Sequence, residues 1–386
     1  MTAEGTNQAF PLPGPRMPLI VGAAALVVCA LYGLYSPASF FRAYLISFLM
    51  WVGVSLGALA IVEIGRLTGG RWAAQLRPVL GPAAQAMPLL LALFLPILLG
   101  MHFIFPWANT ETVANDAELR QKTLYYLNVP GFIIRAAFYF AAWIGFAYVV
   151  TPPRAAGSPP LSIADKRRLG IISALGLGFF GLTVTFASID WAMSLEPEPK
   201  WFSTIYGVMW AVGMILSAFS FGVAYVCAFN PDADKQVLRD LANLLMAFTL
   251  VWVYMAFSQY LLIWSGNLRE EIPWYLRRGQ GVWSGMAFLL FLFQFAVPFA
   301  ILLSGNVKTN PRLLLGVALL VFLMRFVDIF WLTAPAFPNN GDLFFLQPLA
   351  FVGIGGLWIA AFIWLKPSTV PDIVTVAEPA GELAHE

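Results

Sequence analysis

Charge is scarce in this chain. Of its 386 residues, 11% are charged, against about 25% in soluble globular domains. That scarcity excludes a soluble enzyme and a disordered chain. The 22 Lys and Arg nearly balance the 20 Asp and Glu, for a net charge of +2, so there is no basic field to hold nucleic acid. Cysteine and histidine are scarcer still, with two of each. Cys29 and Cys227 fall inside apolar runs, and no CxxC, CxxCH or Cys/His zinc spacing occurs. Iron–sulfur, c-type haem and structural zinc sites are therefore not expected in this chain. The histidines are His102 and His385, the second in a polar tail, so a bis-histidine haem between helices is excluded. A GxxxxGK[ST] loop is also missing, which removes an ATP-driven motor. The stretch Met1–Arg16 is rich in Pro and Gly and lacks the basic region and cleavage site of a secretory signal.

Apolar residues dominate instead. They make up 60% of the chain, aromatics make up 15%, and the mean hydropathy is +0.77. A helix needs about 20 apolar residues to cross a bilayer. Ten runs meet that need: Pro18–Tyr35, Phe40–Ile64, Met87–Pro106, Pro130–Val150, Leu169–Ile189, Phe202–Ala228, Leu238–Trp264, Gly281–Leu303, Pro311–Leu332 and Phe345–Leu365. They are too long for outer-membrane strands. The fold class predicted is an all-α membrane protein of about ten transmembrane helices. Residues 1–17 form an N-terminal segment, 18–366 the membrane domain and 367–386 a C-terminal tail. With the N-terminus on one side, 13 Lys and Arg fall on that side and 7 on the other, while Arg135 and Arg325 lie within spans. This bias predicts a multi-pass membrane protein with both termini cytoplasmic.

Two short similarities hint at an internal repeat. His102-Phe-Ile-Phe-Pro-Trp-Ala-Asn109 resembles Gln259-Tyr-Leu-Leu-Ile-Trp-Ser-Gly-Asn267, and Phe186-Ala-Ser-Ile-Asp190-Trp resembles Phe326-Val-Asp328-Ile-Phe-Trp331. The units would be spans two to five and six to nine, two four-helix bundles over about 40–190 and 202–334, flanked by spans one and ten. Four spans per unit preserve direction, so such a repeat is parallel. Chance likeness between apolar stretches is the alternative.

Ionisable groups inside a membrane cost several kcal/mol each, so each needs a partner, water or a role. The candidates are His102, Arg135, Asp190, Gln259, Arg325 and Asp328, most in the outer half, with Gln294 a further amide. Such groups can pass protons between a buried site and the outer phase. The structural alternatives are a local Arg325–Asp328 pair and an Arg135 that snorkels outward. Glu63 and Arg66 sit three apart at the inner end of span two, as a surface ion pair or as an inner proton entry. Half of the 14 tryptophans fall near outer ends. Trp191, Trp201, Trp264 and Trp274 suit either an interfacial belt or docking to a partner. Gly53-Val-Ser-Leu-Gly57 allows close helix packing.

Two loop segments carry a family resemblance. One is Ser188-Ile-Asp-Trp-Ala-Met-Ser-Leu-Glu196 followed by Trp201-Phe-Ser-Thr-Ile-Tyr-Gly207. The other is Ala256-Phe-Ser-Gln-Tyr-Leu-Leu-Ile-Trp-Ser-Gly-Asn267 continuing into Arg269-Glu-Glu-Ile-Pro-Trp-Tyr-Leu276. Together they resemble the second NrfD-like membrane subunit (ActF type) of alternative complex III, a bacterial quinol:cytochrome c oxidoreductase of the respiratory chain. The resemblance covers residues 18 to 366. It implies two four-helix bundles with one flanking helix each and no redox metal in this subunit. It also implies a sister NrfD-like subunit as the better quinol site, with haem c and iron–sulfur clusters on outer subunits that complete electron transport. The chain's own task would be to scaffold these partners and to conduct protons. In one respect the sequence departs from the pattern: a histidine is expected before Trp201, where Glu196-Pro-Glu-Pro-Lys200 stands instead. Two other readings compete. The chain itself would bind quinone through His102 and Asp190, or it would be a secondary transporter, whose sites favour the bilayer midplane. A membrane acyltransferase built on His102 lacks the HxxxxD acid.

Overall fold

In a computed structural model, residues 14–152, 161–198, 200–230, 232–338 and 341–366 are described. His385 and most of both terminal segments lie outside them. The described residues form helices and no strands. Among the described residues, ten helical segments are long and apolar enough to cross a membrane: α1 (Arg16–Tyr35), α2 (Pro37–Thr68), α3 (Arg71–Leu99), α4 (Val129–Val150), α5 (Ile163–Leu195), α6 (Tyr206–Phe229), α7 (Lys235–Gly266), α8 (Gly281–Leu302), α9 (Pro311–Ala336) and α10 (Leu343–Leu365). The chain is a multi-pass helical membrane protein. Where water is absent, a helix satisfies its backbone groups internally. Side chains of Asn128, Ser162, Asp234 and Asn310 accept from the first free N–H groups of α4, α5, α7 and α9. Asn267 ends α7 in the left-handed conformation, at φ 49°.

Alternating helices define two faces. Both described ends, Gly14 and Lys366, lie on the proximal face; the loops after α1, α3, α5, α7 and α9 make the distal face. Contacts close two rings in the same order: α2, α3, α4 and α5 in one, α6, α7, α8 and α9 in the other. This is the arrangement a parallel four-helix repeat requires. The first and last helices do not stand one beside each bundle. They pack on each other, with Gly22 against the backbone of Gly353 and Gly356, and α10 lies along α2.

The axis of the molecule is α2. Its most apolar 18-residue window is 100% buried, against 17% for α1 and 22% for α8. Small residues make that possible. A Cβ on Gly57 would overlap the carbonyl of Met214 on α6, and one on Gly53 would press on the Met214 side chain. The Gly53-x-x-x-Gly57 pattern thus brings two backbones together where the bundles join. Towards α10, α2 makes a ladder of polar contacts at parallel register. Gln347 Nε2 donates to Ser47 Oγ at 3.0 Å, Trp51 Nε1 to the Phe351 carbonyl at 3.0 Å, and Trp358 Nε1 to Ser55 Oγ at 2.8 Å.

A side chain at Gly57 has no free volume to enter. Gly57→Leu is expected to destabilise the protein by about 3 kcal/mol or more, read from denaturant unfolding in detergent by tryptophan fluorescence. Gly178→Ala, where a Cβ meets nothing within 4 Å, is expected to unfold like the unsubstituted protein.

Candidate functional site

In the first bundle, α4 and α5 are joined by a two-pronged ion pair. Arg135 Nε donates to Asp190 Oδ2 at 2.9 Å and Nη2 to Oδ1 at 2.8 Å. Tyr139, one turn from Arg135, donates its hydroxyl to Oδ2 at 2.9 Å. The guanidinium also donates to the Tyr126 carbonyl at 3.0 Å and lies 3.9 Å from the centre of that ring. Arg135 does not simply snorkel outward: it binds a carboxylate that is 1% exposed. An Arg–carboxylate fork is among the stronger hydrogen-bonded pairs.

In the second bundle, Arg325 and Asp328 pair across one turn of α9. Trp252 of α7 donates Nε1 to Asp328 Oδ2 at 3.1 Å, and Arg325 Nε donates to Ser217 Oγ of α6 at 3.3 Å. Gly213 on α6 leaves the room that the guanidinium fills, since a Cβ there would overlap it. The pair thus ties together three helices of one ring.

Glu63 is wholly buried, and neither of its oxygens has a hydrogen-bond partner. Its carboxyl faces Gly176 of α5, where a Cβ would overlap Oε1. The expected surface pair with Arg66 is therefore corrected: α2 continues to Thr68 and keeps Glu63 inside, while Arg66 Nε donates to the Val150 carbonyl at 2.7 Å. Buried without partners as well are the Ser173 hydroxyl on α5 and the side-chain amides of Gln259 on α7 and Gln294 on α8. Gln294 sits in a π-helical turn, Leu290–Ala296, that interrupts α8, a distortion frequent at functional sites.

A further cluster was not foreseen from the sequence. Glu196, just after α5, is bound by Arg278 Nη2 at 2.7 Å and by Arg277 Nη2 at 2.8 Å. Arg277 also pairs with Glu198. Arg278, at the end of the short helix Ile272–Arg278, donates to the carbonyls of Trp274, Trp331 and Leu332 at 3.1, 3.3 and 2.6 Å. Its guanidinium lies 3.7 Å from the centre of the Trp274 ring, which stacks on Trp201 at 5.4 Å and 7°. Burial pulls this guanidinium below its ordinary pKa, and the Glu196 carboxylate beside it opposes that shift. The cluster fastens the first bundle's distal loop to the second bundle.

Several cavities adjoin these groups. A distal pocket of about 280 Å³ is lined by Arg42, His102, Asp116, Glu196 and apolar neighbours. A larger cleft of about 800 Å³ lies between α7, α8 and α9, with Trp252, Phe257, Tyr260, Phe291 and Asp328 in its walls and Arg278 at its distal end. Its rim residues Tyr254, Phe257 and Phe291 are more than half exposed, so the cleft opens sideways towards lipid.

Several candidates are relocated by this geometry. His102 is exposed and lies past the end of α3. Asp190 is buried and bound by Arg135 and Tyr139, and it does not line the pocket that His102 lines. Trp191, Trp201 and Trp274 are 1%, 3% and 1% exposed, whereas Trp264 is 68% exposed. The first three pack this chain's own loops and cannot present a docking face; Trp264 can. Compared with protein-family models and with curated proteins, the chain matches none.

The fork has a measurable consequence. Asp190→Asn is expected to lower stability by about 1.5–3 kcal/mol, because it removes the charged partner of the partly exposed Arg135 guanidinium. Tyr139→Phe is expected to cost about 1.5–3 kcal/mol. The double variant Arg135→Met/Asp190→Leu should recover much of the first loss in the same unfolding assay, and additive losses would show that the two side chains act independently.

Proposed function

We propose that this chain is a membrane subunit of a quinol-oxidising respiratory complex of the alternative complex III type, with scaffolding and proton conduction as its own tasks. The observation that carries the reading is the distribution of buried ionisable groups. Each bundle holds one Arg–Asp pair in its distal half, and Glu63 stands unpartnered near the proximal end of α2. Each of these charges is costly in an apolar bundle. Asp190 accepts from the Tyr139 hydroxyl, a group that can both give and take a proton. The sequence resemblance supplies the quinol chemistry: electrons would leave through haem c and iron–sulfur partners on the distal face, and a sister NrfD-like subunit would hold the quinol. The exposed Trp264, with Phe202 and Leu268, offers those partners an apolar distal surface. On this reading the distal face is the outer one, in keeping with its fewer Lys and Arg.

A second reading, quinone binding by this chain itself, is favoured by the membrane cleft rather than by His102 and Asp190. The cleft is of ligand size, apolar and open to lipid, and its wall contains one carboxylate, Asp328. A transporter fits less well, since the buried charges do not meet at one midplane site.

Asp328→Asn, in the complex reconstituted in vesicles, is expected to lower the protons released per quinol oxidised while the subunits still assemble; an unchanged ratio would remove the proton role. Photolabelling with an azido-quinone separates the two readings. Label on the segment Tyr254–Tyr260 supports binding in this chain, and label confined to a partner supports the first reading.

A further inference from the structure

The distal pocket and the membrane cleft meet at one contact. Glu196 lines the pocket, Arg278 lines the cleft, and the two side chains are 2.7 Å apart and 2% and 0% exposed. On the pocket side lie polar groups, Arg42, His102 and Asp116; on the cleft side the walls are aromatic up to Asp328. The contact also differs from the other buried pairs in what would remain if it parted. Glu196 keeps Arg277, and Arg278 keeps three backbone carbonyls and the face of Trp274. Neither charge would be left bare, whereas Asp190 without Arg135 would keep only a tyrosine hydroxyl. A buried ion pair normally resists opening because an unpaired charge is costly; here that cost is offset on both sides.

We infer that the Glu196–Arg278 contact is a gate between the membrane cleft and the distal aqueous phase, and that a proton leaving the Asp328 side of the cleft passes it into the His102 pocket. The gate itself rests on geometry; the proton as traveller rests on the proton-conducting reading above.

The test is thiol accessibility in the full chain. Cys29 and Cys227 are buried and are replaced by Ala. Met209, 5% exposed and in the cleft wall near the distal end of α6, is replaced by Cys. A charged, membrane-impermeant thiosulfonate is added from the distal side. With Glu196 in place labelling is expected to be slow, and Glu196→Gln is expected to speed it at least tenfold. Equal rates, or fast labelling with Glu196 present, would overturn the gate. Should Glu196→Gln fail to fold, Arg278→Lys tests the same contact from the other side, with the same two outcomes. In the assembled complex, a proton-to-quinol ratio that Glu196→Gln leaves unchanged, alongside faster labelling, would overturn the proton passage alone. A ratio altered by Asp328→Asn together with equal labelling rates would overturn the gate and leave the proton-conducting reading standing.

Discussion

The structure depends on one helix having no exposed side. In a bilayer, lipid is as apolar as leucine, so helices gain nothing by hiding apolar faces from each other. Close packing and hydrogen bonds must hold them together. The sequence of α2 supplies both. Gly53 and Gly57 let α6 approach at backbone distance, and Ser47, Trp51 and Ser55 bond to α10 and α3. Because α2 belongs to the first ring and touches the second at Met214, it fixes where the bundles meet. It also determines which polar groups become buried, since Glu63 on the same helix is carried against Gly176 of α5.

The chain meets its buried charges in different ways, and the differences follow from distance in sequence. Arg325 and Asp328 share one helix turn, so their pairing costs little ordering, and Trp252 and Ser217 turn it into a tie between helices. Arg135 and Asp190 are brought together only by the packing of α4 on α5, and the fork in turn fixes the register of the two helices. Glu196 and Arg278 belong to different bundles, so their contact reports how the bundles sit at the distal face. Among the described residues Glu63 has no hydrogen-bond partner.

Hydropathy made the ten spans legible, because a run of about 20 apolar residues has few other uses. Local spacing made the Gly53/Gly57 packing and the Arg325–Asp328 pair legible too. Two similarities of a few residues each pointed to the four-helix repeat. The rest was hidden for stated physical reasons. The apolar run of span two ends at Ile64, but α2 runs one turn further, and Glu63 lies buried rather than at the surface. The Arg135–Asp190 fork needs the rotation of two helices, which apolar all-round sequences do not encode. Tryptophans in loops look like surface groups, yet Trp201 and Trp274 stack on each other inside the distal loops, and the charged residues around them, Glu196 and Arg278, are buried with them.

The two rings share a plan but not a filling, and that difference carries the functional argument. In the first ring the space between α3, α4 and α5 is occupied by aromatic rings: Phe94 lies 5.4 Å from Phe140 and 5.1 Å from Trp191, and Trp143 lies 5.7 Å from Trp191. Asp190 sits against that packed core, bound by Arg135 and Tyr139. In the second ring the helix corresponding to α4 is α8, which carries a π-helical turn, with Phe291 more than half exposed at the rim of the cleft. The space stays open, and Asp328 forms part of its wall. One half of the repeat is filled by aromatic packing, and the other keeps a cleft with the buried Asp328 in its wall. The distal contact between Glu196 and Arg278 then lies where the closed half meets the open one.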